Sequence, residues 1–499
     1  MSERIDRRGF LTGAGTAGAA FLTGCGPAAI ASGSPTKRRK ASPIPKKLQQ
    51  AMRGHVFTRG APGFSSVAHV YNERFDGVFP DYVARPINAA DVRGAVRWAV
   101  AHNVPLRARS GGHSYAGYST MSGGVVLDLR KLNWVHVNRG QGTASIGAGA
   151  QLIDVYAGLA AQGATLPAGS CPSVGITGVT LGGGMGLAGR AFGLTADNLV
   201  AVDIVTADGR SRHVDKNTDR SFLWALRGGG GGNFGVATQL HYRVHPLPSS
   251  AAYFNVSWPW SSAAHALQTW LQWAPHTHDQ ITSIFHLNSG QTVSANGQYL
   301  GPASDLGGLL SSLASVPGAS ISSGNSGYMA LQMAWAGCSH LSFAACHTVG
   351  THPGGTFPRE RFWAKSDYIK NPLSSSGAQA FVSAIDRHQS QGVPGSAAIL
   401  FDSYGGAINN VAPNATAFVH RDALCAIQYL SYNGGAAWLQ QTWQSLRSYV
   451  SGQAYQNYID AGLNHWRQAY YGSNYAKLVS IQQRVDPHHK FNFPQAIGR

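Results

Sequence analysis

Hydrophobic positions along the chain switch repeatedly between the helical and the strand period. Residues 91 to 102 (DVRGAVRWAVAH) carry apolar side chains at helical spacing behind Asp91, and residues 104 to 109 (VPLRAR) then read as a strand entering a glycine turn. Residues 124 to 129, 144 to 149 and 199 to 207 are further strand-like runs, the last closed by the turn pair Asp208-Gly209. Helical spacing returns over 152 to 162 and 219 to 226. Strands and helices mix without a strict alternation, which predicts an α+β class and not a doubly wound parallel sheet. At Pro246-Leu247-Pro248 the texture changes: alternating aromatic runs such as 253 to 260 and helical runs such as 264 to 273 predict a second domain built on an antiparallel sheet covered by helices. The C-terminal segment returns to a helix at 475 to 483 and ends on Phe491-Asn492-Phe493-Pro494. The expected division is a leader and linker over 1–47, a first domain over 48–247, a second over 248–448, and a segment over 449–499 that completes the first.

Length agrees with this division, since 499 residues exceed one core at about 100 to 200 residues per domain. Charge changes the picture only at the N-terminus. The net charge of +17 includes Arg4, Arg7, Arg8, Lys37, Arg38, Arg39, Lys40, Lys46 and Lys47, and the remainder shows no zinc-finger spacing, RNP-like motif or basic helix. No nucleic-acid partner is expected. Arg7-Arg8-Gly9-Phe10-Leu11, followed by small and apolar residues to Gly24, matches a twin-arginine export signal and is too short and glycine-rich for a transmembrane span. Leu22-Thr23-Gly24-Cys25 resembles a lipobox, which would make Cys25 a lipid anchor at the cell surface; cleavage after Ala29-Ile30-Ala31 is the alternative. Cys338, Cys346 and Cys425 form either one Cys338–Cys346 bridge with a free Cys425 or three buried thiols.

Candidate chemistry collects in three places. Arg109-Ser110-Gly111-Gly112-His113-Ser114-Tyr115-Ala116-Gly117 is a glycine loop whose backbone N–H groups can turn inward around an anion such as a pyrophosphate. Gly169-Ser170-Cys171-Pro172-Ser173-Val174-Gly175-Ile176-Thr177-Gly178 runs into Gly182-Gly183-Gly184-Met185-Gly186. Residues 184 to 189 fit the dinucleotide pattern G-x-G-x-x-G, but the preceding stretch is a poor strand and Asp208 sits in a turn, so an NAD site is not expected. Tyr455-Gln456-Asn457-Tyr458 is the third place. No metal site is expected: His488-His489, and His340 and His347 among the Cys residues, lack a credible ligand set.

Together, RSGGHS, GSCPSVGITG, GGGMGLAGRAFGLTADN, WALRGGGGGNFGVAT and the ending YYGSNYAKLVSIQQRVDPHHKFNFPQAI resemble the berberine-bridge-enzyme-like branch of the vanillyl-alcohol-oxidase flavoproteins, over about residues 56 to 497. The resemblance implies an FAD domain of that type, formed by 48–247 with 449–499, and a substrate domain over 248–448. It implies FAD bonded to His113 and to Cys171; imidazole and thiolate are nucleophiles able to add to an electron-poor flavin ring. Arg109, Ser110, Gly111, Gly112, Ser114 and Gly117 would hold the cofactor from the first loop, and Ser170, Val174, Gly175, Gly178 and Gly186 from the second, with Asn457 from the C-terminal segment. Val174 falls where the family places a gatekeeper at the oxygen-reacting edge, and valine there resembles the oxygen-using members. Tyr458 would be the base, with Tyr455 beside it and Asp402, in Phe401-Asp402-Ser403-Tyr404-Gly405-Gly406, as its partner. Ser403-Tyr404-Gly405-Gly406-Ala407-Ile408 replaces the Pro-Tyr-Gly-Gly-x-Met segment of the plant alkaloid enzymes, which argues against their C–C bond formation. The implied activity is oxidation of a sugar or oligosaccharide alcohol with O2 as acceptor. A secondary-metabolite alcohol or glycoside is the alternative substrate, and a carbohydrate-binding surface lipoprotein without active flavin is the alternative of another class.

Overall fold

The computed structural model describes residues 46–499. The helix expected over 91 to 102 is present as Ala89–Ala101 and begins ahead of Asp91, because Asn88 caps it by accepting from the Asp91 N–H at 2.9 Å. Asp91, on its first turn, turns its carboxylate back to accept from the backbone N–H of Arg53, Gly54 and Ile87. That buried carboxylate ties the first described turn, Lys46–Gln50, and the strand His55–Thr58 to the helix.

A four-stranded sheet runs in the order His55–Thr58, Tyr82–Arg85, Val125–Asp128, Leu106–Arg109, its last three strands parallel. A five-stranded antiparallel sheet follows, in the order Val135–Asn138, Thr143–Gly147, Val236–Arg243, Leu199–Val205, Ser211–Asp215. The expected turn at Asp208-Gly209 joins its last two strands, with Gly209 at φ 71°. One hydrophobic core serves both sheets and continues into the C-terminal segment through Leu478, Ile481, Phe491 and Ile497. The segment carrying Gly184-Met185-Gly186 follows a helix, Ile176–Leu181, and not a strand, so the dinucleotide pattern lacks its structural context.

The second core lies on a seven-stranded antiparallel sheet, in the order Ser320–Ser326, Ala251–Trp258, Thr292–Tyr299, Ile281–Asn288, Ser396–Ser403, Cys425–Tyr432, Phe362–Ile369. Because side chains alternate along a strand, each central strand serves two environments. Phe285, Leu287, Ile399, Phe401, Ile427 and Tyr429 pack against Trp270, Phe381 and Trp438 of the helices Ala263–Trp273, Ser375–Ser390 and Ala436–Ser445. The intervening residues, among them Ile284, His286, Asn288, Leu400, Asp402 and Gln428, face a cavity toward the first domain. Of the two readings of the cysteines, the structure adopts the bridge between Cys338 and Cys346, leaving Cys171 and Cys425 as free thiols. Among the described residues no helix is long and apolar enough to cross a membrane.

Candidate active site

The two glycine loops are distant in sequence and meet backbone to backbone. A Cβ on Gly111 would lie 2.2 Å from the Gly175 nitrogen and 2.4 Å from the Ser173 oxygen, and one on Gly175 would lie 2.1 Å from Ser110 Oγ. Only glycine permits that approach at both positions. It sets His113 Nε2 2.8 Å from Ser173 Oγ, which in turn lies 2.5 Å from Thr348 Oγ1. The ring of Tyr71 stacks on the other side of His113 at 4.0 Å. Burial pushes His113 down to about 3, so the imidazole is neutral and keeps a lone pair on one nitrogen. Cys171, two residues before Ser173, presents a free, half-buried thiol to the same cavity.

The cavity, about 490 Å³, lies between the glycine loops and the seven-stranded sheet. From the first loop Ser110, Gly111, Gly112, His113 and Ser114 line it; from the second, Ser170, Cys171, Val174, Gly175 and Gly178; and Asn457 closes it. Arg107 Nε, Ser119 Oγ, His286 Nε2, Asp402 Oδ2 and Gln456 Oε1, all on residues of this cavity, are buried without a protein partner among the described residues. Buried polar atoms are seldom left unpaired, so this distribution fits a large polar ligand such as FAD.

Three expected cofactor residues have other work. Arg109 is 2 % exposed and points away from the cavity, donating to the carbonyls of Ala68 and Val67 and approaching Asp128 at 3.4 Å. Burial pushes its guanidinium down to about 10, against the pull of Asp128. Asp128 has no exposed side-chain surface; burial raises it, but Arg130, Arg109 and Arg85 together hold it well below the usual carboxylate range. Arg109 therefore locks the base of the loop. Gly117 makes a turn at φ 72° against the Phe75 ring, and Gly186 packs where a Cβ would meet the Ala168 oxygen at 2.3 Å. Both shape the backbone behind the cavity.

On the opposite wall, Tyr458 stacks on Tyr115 with ring centroids 5.2 Å apart and planes 5° from parallel. The Tyr115 hydroxyl accepts from Gln428 Nε2 at 2.6 Å. Burial pushes Tyr458 well above the ordinary phenol range, and of the charges acting on it Asp402 is the strongest. Asp402, facing the cavity from strand Ser396–Ser403, is pushed up to about 7 by burial. Tyr455, expected beside Tyr458, is held by its contacts. Its hydroxyl accepts from Gly184 N at 3.0 Å, Met185 N at 2.9 Å and Asn457 Nδ2 at 2.8 Å. It is a positioning residue that clamps the Tyr455–Tyr458 segment to the glycine run.

Several residues at or behind the cavity escape a sequence reading. Tyr115 lies inside the quoted glycine loop, yet nothing local marks it as the partner of Tyr458. His286 and Asn288 alternate with Phe285 and Leu287, a period-2 signal that would have flagged a polar sheet face. Thr348 reaches Ser173 only through the loop that follows the Cys338–Cys346 bridge.

The comparisons with known proteins bear on the same two regions. A family model described as "FAD binding domain" matches residues 80–215, which contain His113 and Cys171. One described as "Berberine and berberine like" matches residues 454–498, which contain Tyr455 and Tyr458. An uncharacterized FAD-linked oxidoreductase of Bacillus subtilis (strain 168), YgaK, is 32% identical over 459 residues, covering 89% of this chain and 97% of its own length. Among solved structures, Physcomitrella patens BBE-like 1 superposes with a TM-score of 0.83 at 31% identity, covering 90% of this chain and 98% of its own. A chitooligosaccharide oxidase does so with a TM-score of 0.81 at 27% identity, covering 91% and 98%. With identity carried along nearly the whole chain, the protein belongs to the berberine-bridge-enzyme-like family of FAD-linked oxidoreductases.

Proposed function

We propose that this protein is an exported oxidase of sugar or oligosaccharide alcohols, oxidising the anomeric carbon to a lactone, with FAD joined covalently to His113 and Cys171. The observation that carries the reading is the convergence of Tyr458 and Asp402 with His113 and Cys171 on a single cavity. FAD, when bound in this cavity, would supply the hydride-accepting chemistry and the reduction of O2 to H2O2. The protein supplies the proton path. A buried phenol held above its ordinary range keeps its own proton, so Tyr458 takes the substrate hydroxyl proton only as it passes that proton on to another acceptor. Asp402, pushed up to about 7, titrates in the range where such a proton can be stored. Likeness to a chitooligosaccharide oxidase supports a carbohydrate substrate. A panel of mono- and oligosaccharides, followed by peroxide release and product mass, tests the reading. Lactone or aldonate with stoichiometric peroxide supports it; turnover of hydrophobic alcohols or glycosides alone moves the substrate to secondary metabolites. Flavin-free protein that retains sugar binding points to a carbohydrate-binding lipoprotein.

Val174 lines the cavity three residues after Cys171, and its side chain is one methylene shorter than that of isoleucine. Val174→Ile is expected to slow reoxidation of the reduced protein by about tenfold or more, equivalent to about 1.4 kcal/mol of barrier, while substrate reduction is nearly unchanged. Stopped-flow measurement of the two half-reactions separates them.

Export is supported by the Cys338–Cys346 bridge, since disulfides persist in oxidising compartments. The twin-arginine motif and Cys25 lie outside the described residues. Fatty-acid labelling of cells expressing the full chain should mark the wild type and not Cys25→Ala; an unlabelled wild type would favour simple cleavage.

A further inference from the structure

Away from the cavity, three strands of the five-stranded sheet bring Asp203, His213 and His241 together. Strand register places Asp203 directly opposite both His213 and Gln239, with His241 two residues further along the same strand as Gln239. His213 Nδ1 lies 2.7 Å from Asp203 Oδ1, His241 Nε2 lies 3.0 Å from Asp203 Oδ2, and all three ligand atoms fall within 4.8 Å of one another.

The hydrogen bonds around His241 decide what this cluster is prepared to hold. The indole N–H of Trp134 can only donate, and it meets Gln239 Oε1 at 3.1 Å. That fixes the amide, so Gln239 turns its NH2 toward His241 Nε2, 3.1 Å away. In the tautomer whose Nε2 carries the lone pair, the ring proton sits on Nδ1, where Ser145 Oγ lies 2.9 Å away to accept it. Yet the same Nε2 lone pair faces a carboxylate oxygen of Asp203 at 3.0 Å. The Gln239 NH2 has a second acceptor in Asp203 Oδ2, 3.4 Å away, so it can release Nε2 to another partner. With Nε2 turned to a cation beside the carboxylate, the Nδ1–H held by Ser145 Oγ is the outer-shell arrangement that orients a metal-binding histidine.

We infer that Asp203, His213 and His241 form a binding site for a divalent transition-metal ion of the zinc type. Two imidazole nitrogens and one carboxylate oxygen suit such an ion. With the His213 side chain 50% exposed, the remaining coordination position opens to water. The ion would cross-link Leu199–Val205, Ser211–Asp215 and Val236–Arg243, the last of which continues from Gly231, Gly232 and Gly235 at the cavity wall. It has no part in the oxidation chemistry and acts on the stability of the FAD domain.

The test uses untagged full-length protein, stripped with EDTA and then titrated with ZnCl2 by calorimetry and thermal unfolding, with CoCl2 as an absorbing probe. The expected result is one zinc per chain, a rise in Tm of a few degrees, and visible cobalt bands. All three should be lost in His213→Ala and in Asp203→Asn, and retained in His136→Ala, a control on an exposed strand position of the same sheet. His213 is half-exposed, so its variant tests the ligand without threatening the fold. Absence of zinc binding, or binding that survives both ligand variants, overturns the assignment.

Discussion

Acid precipitation of the wild-type protein is expected to leave the yellow flavin in the pellet, and precipitation of the His113→Ala/Cys171→Ala double variant to release it to the supernatant. Each single variant should keep colour in the pellet through the remaining bond, and tryptic peptides should carry the flavin mass on the residue left intact. The expectation rests on two local environments. His113 is held neutral by burial, between the Tyr71 ring and the Ser173 hydroxyl, so one ring nitrogen is engaged and the other is left for bonding. Cys171 is a free thiol on the same cavity, and a thiol adds to an electron-poor ring once it has lost its proton. Removing Ser173, the only hydrogen-bond partner of the His113 ring among the described residues, should lower the fraction of His113-linked flavin in Ser173→Ala while leaving the Cys171 bond. Losing either anchor is expected to cost about tenfold or more in kcat through looser ring placement. Wild-type colour in the supernatant would remove the covalent claim while leaving the family assignment intact.

Tyr458→Phe is expected to lower kcat by about 10²- to 10⁴-fold, the usual contribution of a positioned proton acceptor, with little change in KM because the ring stack on Tyr115 survives. Asp402→Asn should lower kcat and also change the shape of the pH profile. Asp402 is pushed up to about 7, so below that pH it is protonated and unable to store a further proton. Wild-type activity therefore rises as pH passes through about 7, and that limb should disappear in Asp402→Asn; a limb that persists would exclude Asp402. Stability moves the other way. The folded carboxyl binds its proton more tightly than the unfolded one, so the folded state loses stability as pH climbs from about 4 to about 7. Asp402→Asn removes that penalty and should stabilise the protein at pH 8 by on the order of 2 to 4 kcal/mol, and at pH 4 by little. Asp367, also pushed up to about 7 by burial against the pull of Arg447, contributes a similar decline to both proteins and cancels in the comparison. A variant less active yet more stable would show that the buried carboxyl is kept for chemistry.

What the chain itself determined is local. The helix at Ala89–Ala101 with its Asn88 cap, the Asp208-Gly209 hairpin and the alternation that splits each central strand of the large sheet all follow from neighbours within a few residues. The glycine loops were legible for the same reason: a run such as Ser110-Gly111-Gly112-His113 announces close backbone approach wherever it is placed. Which backbone it approaches was not legible. Gly111 meets Gly175, Ser173 meets Thr348, and Asn72 donates to the carbonyl of Phe362 across 290 residues, contacts set by how two cores dock and by sheet register. Docking turned Arg109 away from the cavity, filled the hydroxyl of Tyr455 with donors, brought His286 to the cavity wall, and gathered Asp203, His213 and His241 from three strands. Residue type and local spacing set which groups can do chemistry. Only the tertiary fold decided which of them face one another, because that depends on long-range packing that no short stretch of sequence encodes.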